Sequence, residues 1–445
     1  MSKHGINENK KKNKKTKTKT KAYRDTAVKK AKTPKQNKQR RGRKTVSYEN
    51  VPIDEYREYS QNEVKFNKSI LKKTLIIFGI IVVLVLSVTL FVNRDNISWD
   101  NFTAWFSESV IGSSKGEGYP TEIMGTTVSK GNFKLIGGRA CYASDTSYVE
   151  LSDTGGKIIN SQLSFSNPVV RGTQNYSIVY GLSSNGFLIN DAQKTKHKGT
   201  TKKPIFTADV NNNGDYCIVT EGSGYLSVLI AYSKDNEKKY EYSFADYYIT
   251  CVSINDSGTG AVCCGVTTVN GAEHSKVYVL DFTSEKPVRE YEFSESVIYD
   301  SFYLSDHMVG AVANNAVYFM DFDSDTPAKT EYNSRTLKTY DYNPATKNLT
   351  VALSRSGDGR NCDILFFNSS GENEYTIKSD YRVDSICTYK GALGILSEGT
   401  AYILEENGNV DASIDAGNDA QAILLYDTDK AYILGISEIR DAEFD

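Results

Sequence analysis

The chain has few of the residues on which most catalytic motifs depend. Among its 445 residues are 8 prolines, 2 tryptophans and 4 histidines, the last being His4, His197, His274 and His307. No His-x-x-x-His or Glu-plus-His spacing occurs, so a zinc site has no support in the sequence. Phosphate-binding loops, dinucleotide fingerprints and strand-to-helix nucleophile elbows are also absent. These absences argue against the enzyme classes that use such motifs, but a site built from loops of distant segments would leave no comparable trace.

Cysteine is scarce and lies entirely in the second part of the chain. The seven cysteines are Cys141, Cys217, Cys251, Cys263, Cys264, Cys362 and Cys387. Their number is odd and no C-x-x-C occurs, so complete internal pairing is excluded. Cys141, Cys217, Cys263 and Cys387 lie in apolar strand patterns, where cysteine behaves as a small hydrophobic residue. We expect mostly free thiols; the alternative is one disulfide between Cys251 and Cys263 across a hairpin.

A single long apolar run, residues 74–92, divides the chain into two parts of opposite charge. Its 19 residues span about 28 Å as a helix, roughly the thickness of a bilayer core. Before it, residues 1–73 hold 24 Lys/Arg and 7 Asp/Glu, whereas residues 93–445 hold 29 and 48. Lys and Arg near a span remain in the cytoplasm. We therefore predict a retained transmembrane helix over 74–92, a cytoplasmic N-terminus and an extracytoplasmic C-terminal domain in the cell membrane. The long basic segment before the run, without an Ala-x-Ala site, disfavours a cleaved signal.

The segments flanking this helix have distinct compositions. Residues 1–52 are basic and low in apolar residues, with 19 Lys/Arg in residues 1–44, which predicts a disordered tail. Anionic lipid is the favoured partner of this tail; nucleic acid is disfavoured because almost no aromatic residues interleave the lysines, and a role in orientation alone is the alternative. Residues 53–73 are consistent with a short amphipathic helix. Residues 93–118 form a connector in which Trp99 and Trp105 lie in a helical pattern, either at the membrane interface or against the outer domain.

Residues 119–445 are a series of degenerate β repeats. Residues 279–287 align with 319–327 at an offset of 40, and residues 208–219 parallel 252–263. Inner strands starting near 133, 168, 204, 248, 297, 337, 382 and 420 have a mean spacing of about 41 residues, typical of four-stranded propeller blades. The sequence predicts an all-β fold, a β-propeller of eight blades with seven as the alternative; a β-sandwich is the competing fold. Residues 119–128 would supply the missing fourth strand of the last blade.

One segment resembles half of a calcium loop. Asp209, Asn211, Asn213 and Asp215 place oxygen ligands at alternating positions around Gly214. The expected glutamate at the twelfth position is Thr220, and the equivalent segment 253–259 lacks most of the carboxylates. We therefore interpret the segment first as a repeated turn, in which Asn and Gly permit positive φ, and second as a weak candidate for a calcium site.

The basic tail, single span, tryptophan-containing connector, Gly-Glu-Gly-Tyr-Pro at 116–120 and degenerate repeats resemble a family of membrane-anchored β-propeller proteins of Gram-positive bacteria. The resemblance covers the chain from about residue 71 and implies location and fold, with no activity assigned to the family. More distantly, the repeats are similar to WD40-like and quinoprotein-like propellers, without the Gly-His and Trp-Asp signatures of the former.

These observations predict a membrane-anchored extracytoplasmic propeller that acts as a binding or scaffold module in the cell envelope. We expect an envelope protein or peptide as partner, preferably basic because the domain is acidic, and no cofactor or catalytic residue is assigned. Two alternatives remain open. One is an enzyme with a loop-built site on the propeller face, and the other is a transmembrane protein that couples outer binding to the basic tail.

Overall fold

The computed structural model describes residues 116–444, which form 32 β-strands and no helix. The predicted basic tail, the 53–73 helix, the 74–92 span and the connector up to residue 115 lie outside the described residues. Within residues 116–444, no helix is long and apolar enough to cross a bilayer.

The strands form eight antiparallel four-stranded sheets, each a blade numbered here along the chain. Blades 1 to 4 contain β2 Val128–Ile136, β3 Arg139–Ser144, β4 Ser147–Leu151 and β5 Lys157–Gln162; β6 Pro168–Gly172, β7 Tyr176–Gly181, β8 Gly186–Asp191 and β9 Thr195–Thr200; β10 Ile205–Val210, β11 Tyr216–Glu221, β12 Ser227–Tyr232 and β13 Lys238–Phe244; and β14 Tyr248–Ile254, β15 Gly260–Val269, β16 Ala272–Asp281 and β17 Arg289–Ser294. Blades 5 to 8 contain β18 Ile298–Tyr303, β19 Met308–Ala313, β20 Ala316–Asp321 and β21 Ala328–Glu331; β22 Thr336–Asn343, β23 Asn348–Ser354, β24 Cys362–Phe367 and β25 Asn373–Ser379; β26 Ser385–Tyr389, β27 Ala392–Ser397, β28 Thr400–Leu404 and β29 Val410–Asp415; and β30 Ala422–Leu425, β31 Lys430–Leu434 and β32 Glu438–Glu443, with β1 Thr121–Glu122.

The first strand of each blade lies on the inside of a ring. Inner strands of neighbouring blades contact one another in blades 1 to 5 and in blades 6 to 8, and the last, β30, contacts the first, β2. Blades 5 and 6 are joined by a shared apolar cluster. Eight apolar clusters fill the gaps between neighbouring sheets; one of them joins Tyr432 and Leu434 of blade 8 to Phe133 and Tyr142 of blade 1. The core is therefore distributed between blades, which is the architecture of a β-propeller. The prediction of eight blades is confirmed, and the inner strands begin within about five residues of the predicted positions.

The ring is closed by the N-terminal strand of the described chain. β1 pairs antiparallel with β32, with Thr121 opposite Ile439 and Glu122 opposite Glu438. Next to it, the Tyr119 ring lies 5.4 Å from the Tyr432 ring, and the Tyr119 hydroxyl donates to the Ser152 carbonyl of blade 1. Blade 8 therefore obtains its fourth strand from the other end of the domain, as the sequence predicted. Closure covers the sheet edge that would otherwise be open to pairing with another chain.

Side chains of some inner strands connect one blade to the next. Asp209 Oδ2 accepts a hydrogen bond from the Ile254 amide (3.0 Å), and Asp341 Oδ2 accepts one from the Thr388 amide (3.1 Å). A hydroxyl at the position equivalent to Asp209, that of Ser253, donates to the Ser301 carbonyl (2.6 Å). These bonds satisfy backbone groups of inner strands that lack a sheet neighbour on the channel side.

The ring has two faces with different connections. Turns between the first and second strands, and between the third and fourth, lie on what we call the N-terminal face. Gly116 joins the domain here, since its amide donates to Thr154 Oγ1 in the β4–β5 turn (3.0 Å). Turns between the second and third strands, and the connections between blades, lie on the opposite face, called the distal face.

Blades 1 and 2 share a buried polar network around a carboxylate. The Tyr148 hydroxyl lies 2.9 Å from Glu150 Oε1 and 2.8 Å from Ser177 Oγ of blade 2. Glu150 is fully buried, and its second oxygen lies 4.0 Å from Arg139 Nη2, beyond hydrogen-bond length. Burial raises the pKa of Glu150 to about 7, partly opposed by the positive charge of Arg139. This carboxyl group therefore changes charge near neutral pH.

We predict that Glu150 makes the domain less stable as pH rises. A native pKa of about 7, against an ordinary 4.5, means that the native state holds the proton more tightly than the unfolded chain. The resulting stabilisation is complete below about pH 4.5 and is lost as pH rises through 7, amounting to on the order of 3 kcal/mol. Glu150→Gln should therefore gain stability relative to wild type between pH 5 and pH 8, as measured by chemical denaturation. Exposed Glu372→Gln is the control; an equal pH dependence in wild type and Glu150→Gln would contradict the prediction.

Candidate functional site

An ion pair crosses the central channel of the ring. Arg171, on the inner strand of blade 2, donates from both terminal guanidinium nitrogens, Nη1 and Nη2, to Asp300 on the inner strand of blade 5; the Nη1 to Oδ2 distance is 2.8 Å. The Tyr340 hydroxyl of blade 6 donates to the same Oδ2 (3.3 Å). Blades 2 and 5 are not neighbours, so this pair spans the channel.

Other charged groups line the channel around this pair. The Lys134 side chain of blade 1 is exposed toward the channel. Partial loss of hydration inside the ring lowers the pKa of its amine, and the positive charge of Arg171 lowers it further. Burial raises the pKa of Asp209 to about 6, opposed by the charge of Arg171. Burial likewise raises the pKa of Asp341, opposed by Lys134. Cations from blades 1 and 2 therefore face carboxylates from blades 3, 5 and 6 across a narrow channel.

Four consecutive inner strands carry a β-bulge at the distal mouth of this channel. In each of blades 3 to 6, one residue of the inner strand has no partner on the second strand, so the pairing register shifts there. These unpaired residues are Phe206, Thr250, Tyr299 and Lys338. A bulge redirects the side chain of its extra residue out of the regular pleat. Tyr299 is 51% exposed, and Phe206 packs edge-on against the exposed ring of Tyr248 at 6.5 Å. Bulges therefore redirect side chains around half of the channel mouth, and two of these four side chains are aromatic.

Exposed apolar side chains concentrate on the distal face. Among residues 116–444, eight large apolar side chains are exposed, and six of them lie on this face: Leu182, Tyr225, Tyr248, Val269, Tyr299 and Ile436. Val288 and Val410 lie on the N-terminal face. Tyrosine is enriched at protein interfaces because it combines apolar area with a polar end. The distal face is therefore the better candidate for docking a partner.

Carboxylates surround the aromatic sector of the distal face. Asp246, Glu273 and Glu295 are exposed in blades 3 and 4 or in the connection to blade 5. Within the described part of the chain, none of the three forms an ion pair. Near Glu273, the His274 ring lies within hydrogen-bond distance of the Tyr247 hydroxyl (3.1 Å). The sector thus combines tyrosines with unpaired negative charge, which suits a partner that presents basic and apolar groups.

The residues of the calcium-like segment have hydrogen-bond roles within and between blades. Asn211 Oδ1 accepts from the Asn213 and Asp215 amides (both 3.0 Å), and its Nδ2 donates to the Asn255 carbonyl of blade 4 (2.9 Å). Asn213 Nδ2 donates to the Asp256 carbonyl (2.7 Å). Asp215 binds the Lys234 amide (2.9 Å) and Lys239 (2.9 Å), and Asp209 binds the next blade as described above. Calcium binding at these residues stays a prediction.

In the part of the chain that the structure describes, no three His, Cys, Asp or Glu side chains form a group that could hold a metal ion. All seven cysteines are buried and free, which agrees with their strand patterns. The considered pairing of Cys251 with Cys263 does not form, because Cys251 lies opposite Cys264 in the β14–β15 register and Cys263 lies opposite Val252.

Sequence reasoning missed both the channel pair and the bulged rim. Arg171 was recognisable as a rare cation in an acidic domain, but Asp300 lies 129 residues away. For the rim, the signal is an aromatic residue directly after a buried isoleucine at the start of an inner strand, as in Ile205-Phe206 and Ile298-Tyr299.

Ring closure and eight four-stranded blades define the domain as an eight-bladed β-propeller. The chain belongs to a family of unknown function, DUF5711, whose model matches residues 119–439. Among solved structures it is similar to the C-terminal WD40 domain of Sif2 (TM-score 0.50, 9% identity, 74% of this chain and 98% of that chain). It is also similar to Saccharomyces cerevisiae Sqt1 (TM-score 0.49, 9% identity, 73% and 100%). At this identity the likeness concerns the fold alone. No curated protein matches the sequence.

We predict that the channel pair is coupled. Arg171→Met leaves Asp300 largely buried without its cation, which should lower the free energy of unfolding by about 3–5 kcal/mol. Arg171→Met with Asp300→Asn removes both charges and should recover most of that loss, as measured by chemical denaturation. Lys329→Met, which breaks the exposed pair with Glu331, is the control and should leave the midpoint unchanged. If the losses of unfolding free energy in Arg171→Met and in Asp300→Asn simply add in the double variant, the two residues do not act as a unit.

Proposed function

We propose that the protein is a single-pass membrane protein whose propeller lies in the extracytoplasmic space and docks an envelope protein or peptide on its distal face. The observation that carries this proposal is the concentration of exposed tyrosines and unpaired carboxylates around the distal mouth of the channel. Anchoring rests on the 74–92 apolar run and on the charge contrast on either side of it. A Gram-positive source agrees with the family resemblance.

The position of Gly116 supports this choice of face. The chain joins the propeller at the β4–β5 turn, on the N-terminal face. A segment that precedes Gly116 and leads to an anchor therefore departs from the face opposite the exposed tyrosines. The proposed docking face is therefore not the face on which Gly116 contacts the propeller.

The chemistry of the distal sector defines the partner class. Tyr248 and Tyr299 offer flat apolar area near the channel mouth, and Asp246 and Glu295 are exposed beside them without ion pairs in the described chain. Aromatic side chains surrounded by carboxylates favour a ligand whose apolar groups are flanked by Lys or Arg, and they disfavour an acidic ligand. We infer a basic peptide segment or the basic surface of an envelope protein.

The topology can be tested with cysteine labelling, because all seven native cysteines are buried. We expect Ser223→Cys, in an exposed distal turn, to react with a membrane-impermeant maleimide in intact cells. Lys21→Cys, in the basic tail, should react only after the membrane is permeabilised. The wild-type protein, with its seven native cysteines and no added one, is the control for background labelling. Labelling of Lys21→Cys but not Ser223→Cys in intact cells would reverse the proposed orientation.

The docking face can be tested with matched apolar substitutions. Tyr248→Ser with Tyr299→Ser should reduce recovery of the cellular partner at least about tenfold, since interface aromatics often contribute 2 kcal/mol or more each. Val288→Ser with Val410→Ser changes residues of comparable exposure on the N-terminal face and should leave recovery unchanged. Quantitative pull-down with the full chain after crosslinking in cells measures both. The opposite ranking, with the valine variant defective, would place docking on the N-terminal face.

A further inference from the structure

One hairpin projects beyond the rest of the distal face. In blade 4 the second and third strands, β15 and β16, have ten residues each, whereas the corresponding strands of the other seven blades have five to seven. β15 begins at Gly260, directly after a turn on the N-terminal face, so its extra length lies at the distal end. The inner strand β14 reaches only to Tyr248, opposite Val266. Residues 267–269 therefore extend the hairpin about 10 Å past its inner neighbour, at about 3.4 Å per residue.

The sequence makes this extension a regular ribbon. Pairing between β15 and β16 continues to Val269, which lies opposite Ala272. The two residues between them, Asn270 and Gly271, have φ angles of 51° and 83°. Asn-Gly with positive φ at both central positions is the preferred two-residue turn of a twisted hairpin. The β-branched residues before the turn favour an extended backbone. The extension is therefore a two-stranded continuation of the blade.

The two edges of the extension differ. On the outer edge, the Glu273 carbonyl accepts a hydrogen bond from the Glu295 amide (2.9 Å), so the backbone there is covered. Opposed residues of an antiparallel pair alternate between bonding each other and bonding outward. Since Glu273 bonds outward, its partner Thr268 also directs its amide and carbonyl outward, toward the inner edge. The Gly260 carbonyl, an even number of residues earlier in β15, accepts from the Asn255 amide at the same edge (3.1 Å), which agrees with this direction.

No strand of the described chain pairs with this inner edge at Thr268, which is exposed. The connection that leads to β14 takes another path, because Tyr247 packs against Gly265 on the side of the hairpin that faces blade 3. Exposed strand edges are usually protected by charged residues or proline. Residues 266–269 contain neither. The inner edge is therefore open to pairing with another chain.

The segments around this edge carry charge of one sign. Residues 245–250, 265–275 and 294–299 make up the distal part of blade 4 and its two connections, and they contain three carboxylates and no Lys or Arg. The carboxylates are those of Asp246, Glu273 and Glu295. Val269 adds an exposed apolar side chain at the end of the extension. A ligand at the edge therefore meets free backbone groups, apolar area and negative charge together.

We propose that the partner of the distal face binds as an extended peptide segment that pairs with the inner edge of the β15 extension at Thr268. This proposal rests on the docking function proposed above and adds how the partner is held. One residue of the peptide exchanges two backbone hydrogen bonds with Thr268: its amide donates to the Thr268 carbonyl, and its carbonyl accepts from the Thr268 amide. Addition of a strand to an exposed sheet edge is a general mode of peptide recognition, in which backbone bonds supply affinity and alternate side chains supply specificity.

Strand addition also determines where the side chains of the peptide lie. Successive side chains of a strand point to opposite faces, here toward blade 3 and toward blade 5. Val269 shares a face with Cys263, which packs in the cluster between blades 3 and 4. Glu273 shares a face with Val277, which packs in the cluster between blades 4 and 5. An apolar side chain toward blade 3 and a Lys or Arg toward blade 5 therefore fit best, which selects a segment that alternates basic and apolar residues.

Hydrogen exchange of the full chain in detergent tests this proposal, with a seven-residue peptide of alternating Lys and Val as the probe. Mass spectrometry with residue-level fragmentation follows the Thr268 amide, so peptide bound elsewhere on the chain does not affect the reading. This amide has no acceptor in the described chain and should exchange rapidly on its own. A saturating probe supplies an acceptor and should slow the exchange at least about tenfold. The amide of Ser257, exposed on the N-terminal face of the same blade, is the internal control and should not change.

Two control peptides define the results that would overturn the proposal. A fully N-methylated version keeps the side chains and charge but has no amide donors, and a version that alternates Glu and Val keeps the backbone but reverses the charge. Neither should slow the Thr268 amide by more than about twofold. No effect of the Lys-Val peptide at Thr268, or an equal effect of either control peptide, would contradict strand addition by a basic segment.

A matched pair of variants separates this proposal from the docking function itself. Thr268→Pro removes an amide that takes no part in the β15–β16 ladder, so the unfolding midpoint should not change, but recovery of the cellular partner should fall at least about tenfold. Thr268→Val keeps the amide and the β-branched shape and should leave recovery within about twofold. Normal recovery with Thr268→Pro, together with loss in Tyr248→Ser with Tyr299→Ser, would exclude strand addition and leave distal docking intact. Normal recovery in both would exclude the distal docking face as well.

Discussion

The structure depends on closing a ring with two residues of its own N-terminal segment. Thr121 and Glu122 pair with β32, and this short ladder completes the only blade that is assembled from both ends of the described chain. Each apolar cluster is shared by two sheets, so no blade buries its faces alone. In a linear repeat protein the terminal units need polar caps. Here closure removes both ends, and the apolar face of blade 8 is covered by blade 1.

Ring geometry also determines what the channel can contain. Inner strands have no sheet partner toward the axis, so their side chains must satisfy backbone groups or one another. Asp209 and Asp341 bind amides of the next blade, whereas Arg171 and Asp300 meet across the channel. The charged pair bridges the channel between blades 2 and 5. At the distal mouth, the bulges at Phe206 and Tyr299 redirect these side chains out of the regular pleat.

The fold was largely predictable, because its repeat is local. Two gapless stretches 40 residues apart, recurrent Gly and Asn turns and an incomplete last unit together predicted eight blades and their closure. The site was less predictable, because ring closure brings together residues far apart in the chain. Nothing local relates Arg171 to Asp300, and the single extra residue of the bulge at Tyr299 lies within the variation of the repeat length.

Two local features of the sequence also had meanings that only the three-dimensional arrangement reveals. Asp209 and Asn211 match a cation-binding pattern in the sequence, and the structure adds that their oxygens accept hydrogen bonds from amides within and between blades. Net charge predicted an acidic domain, yet Lys194, Lys196 and Lys198 are all exposed at or next to the outer strand of blade 2. The domain therefore presents two chemically different surfaces: an aromatic, carboxylate-bearing mouth and a basic edge.

The most direct test of the central claim is site-specific photo-crosslinking in living cells. A photo-reactive phenylalanine analogue in place of Tyr299 samples the distal mouth, and the same residue in place of Val288, which is comparably exposed, samples the N-terminal face. The account predicts a discrete, reproducible adduct with an envelope protein from position 299 and none from position 288. Adducts from position 288 with position 299 silent, or adducts with cytoplasmic proteins, would contradict it.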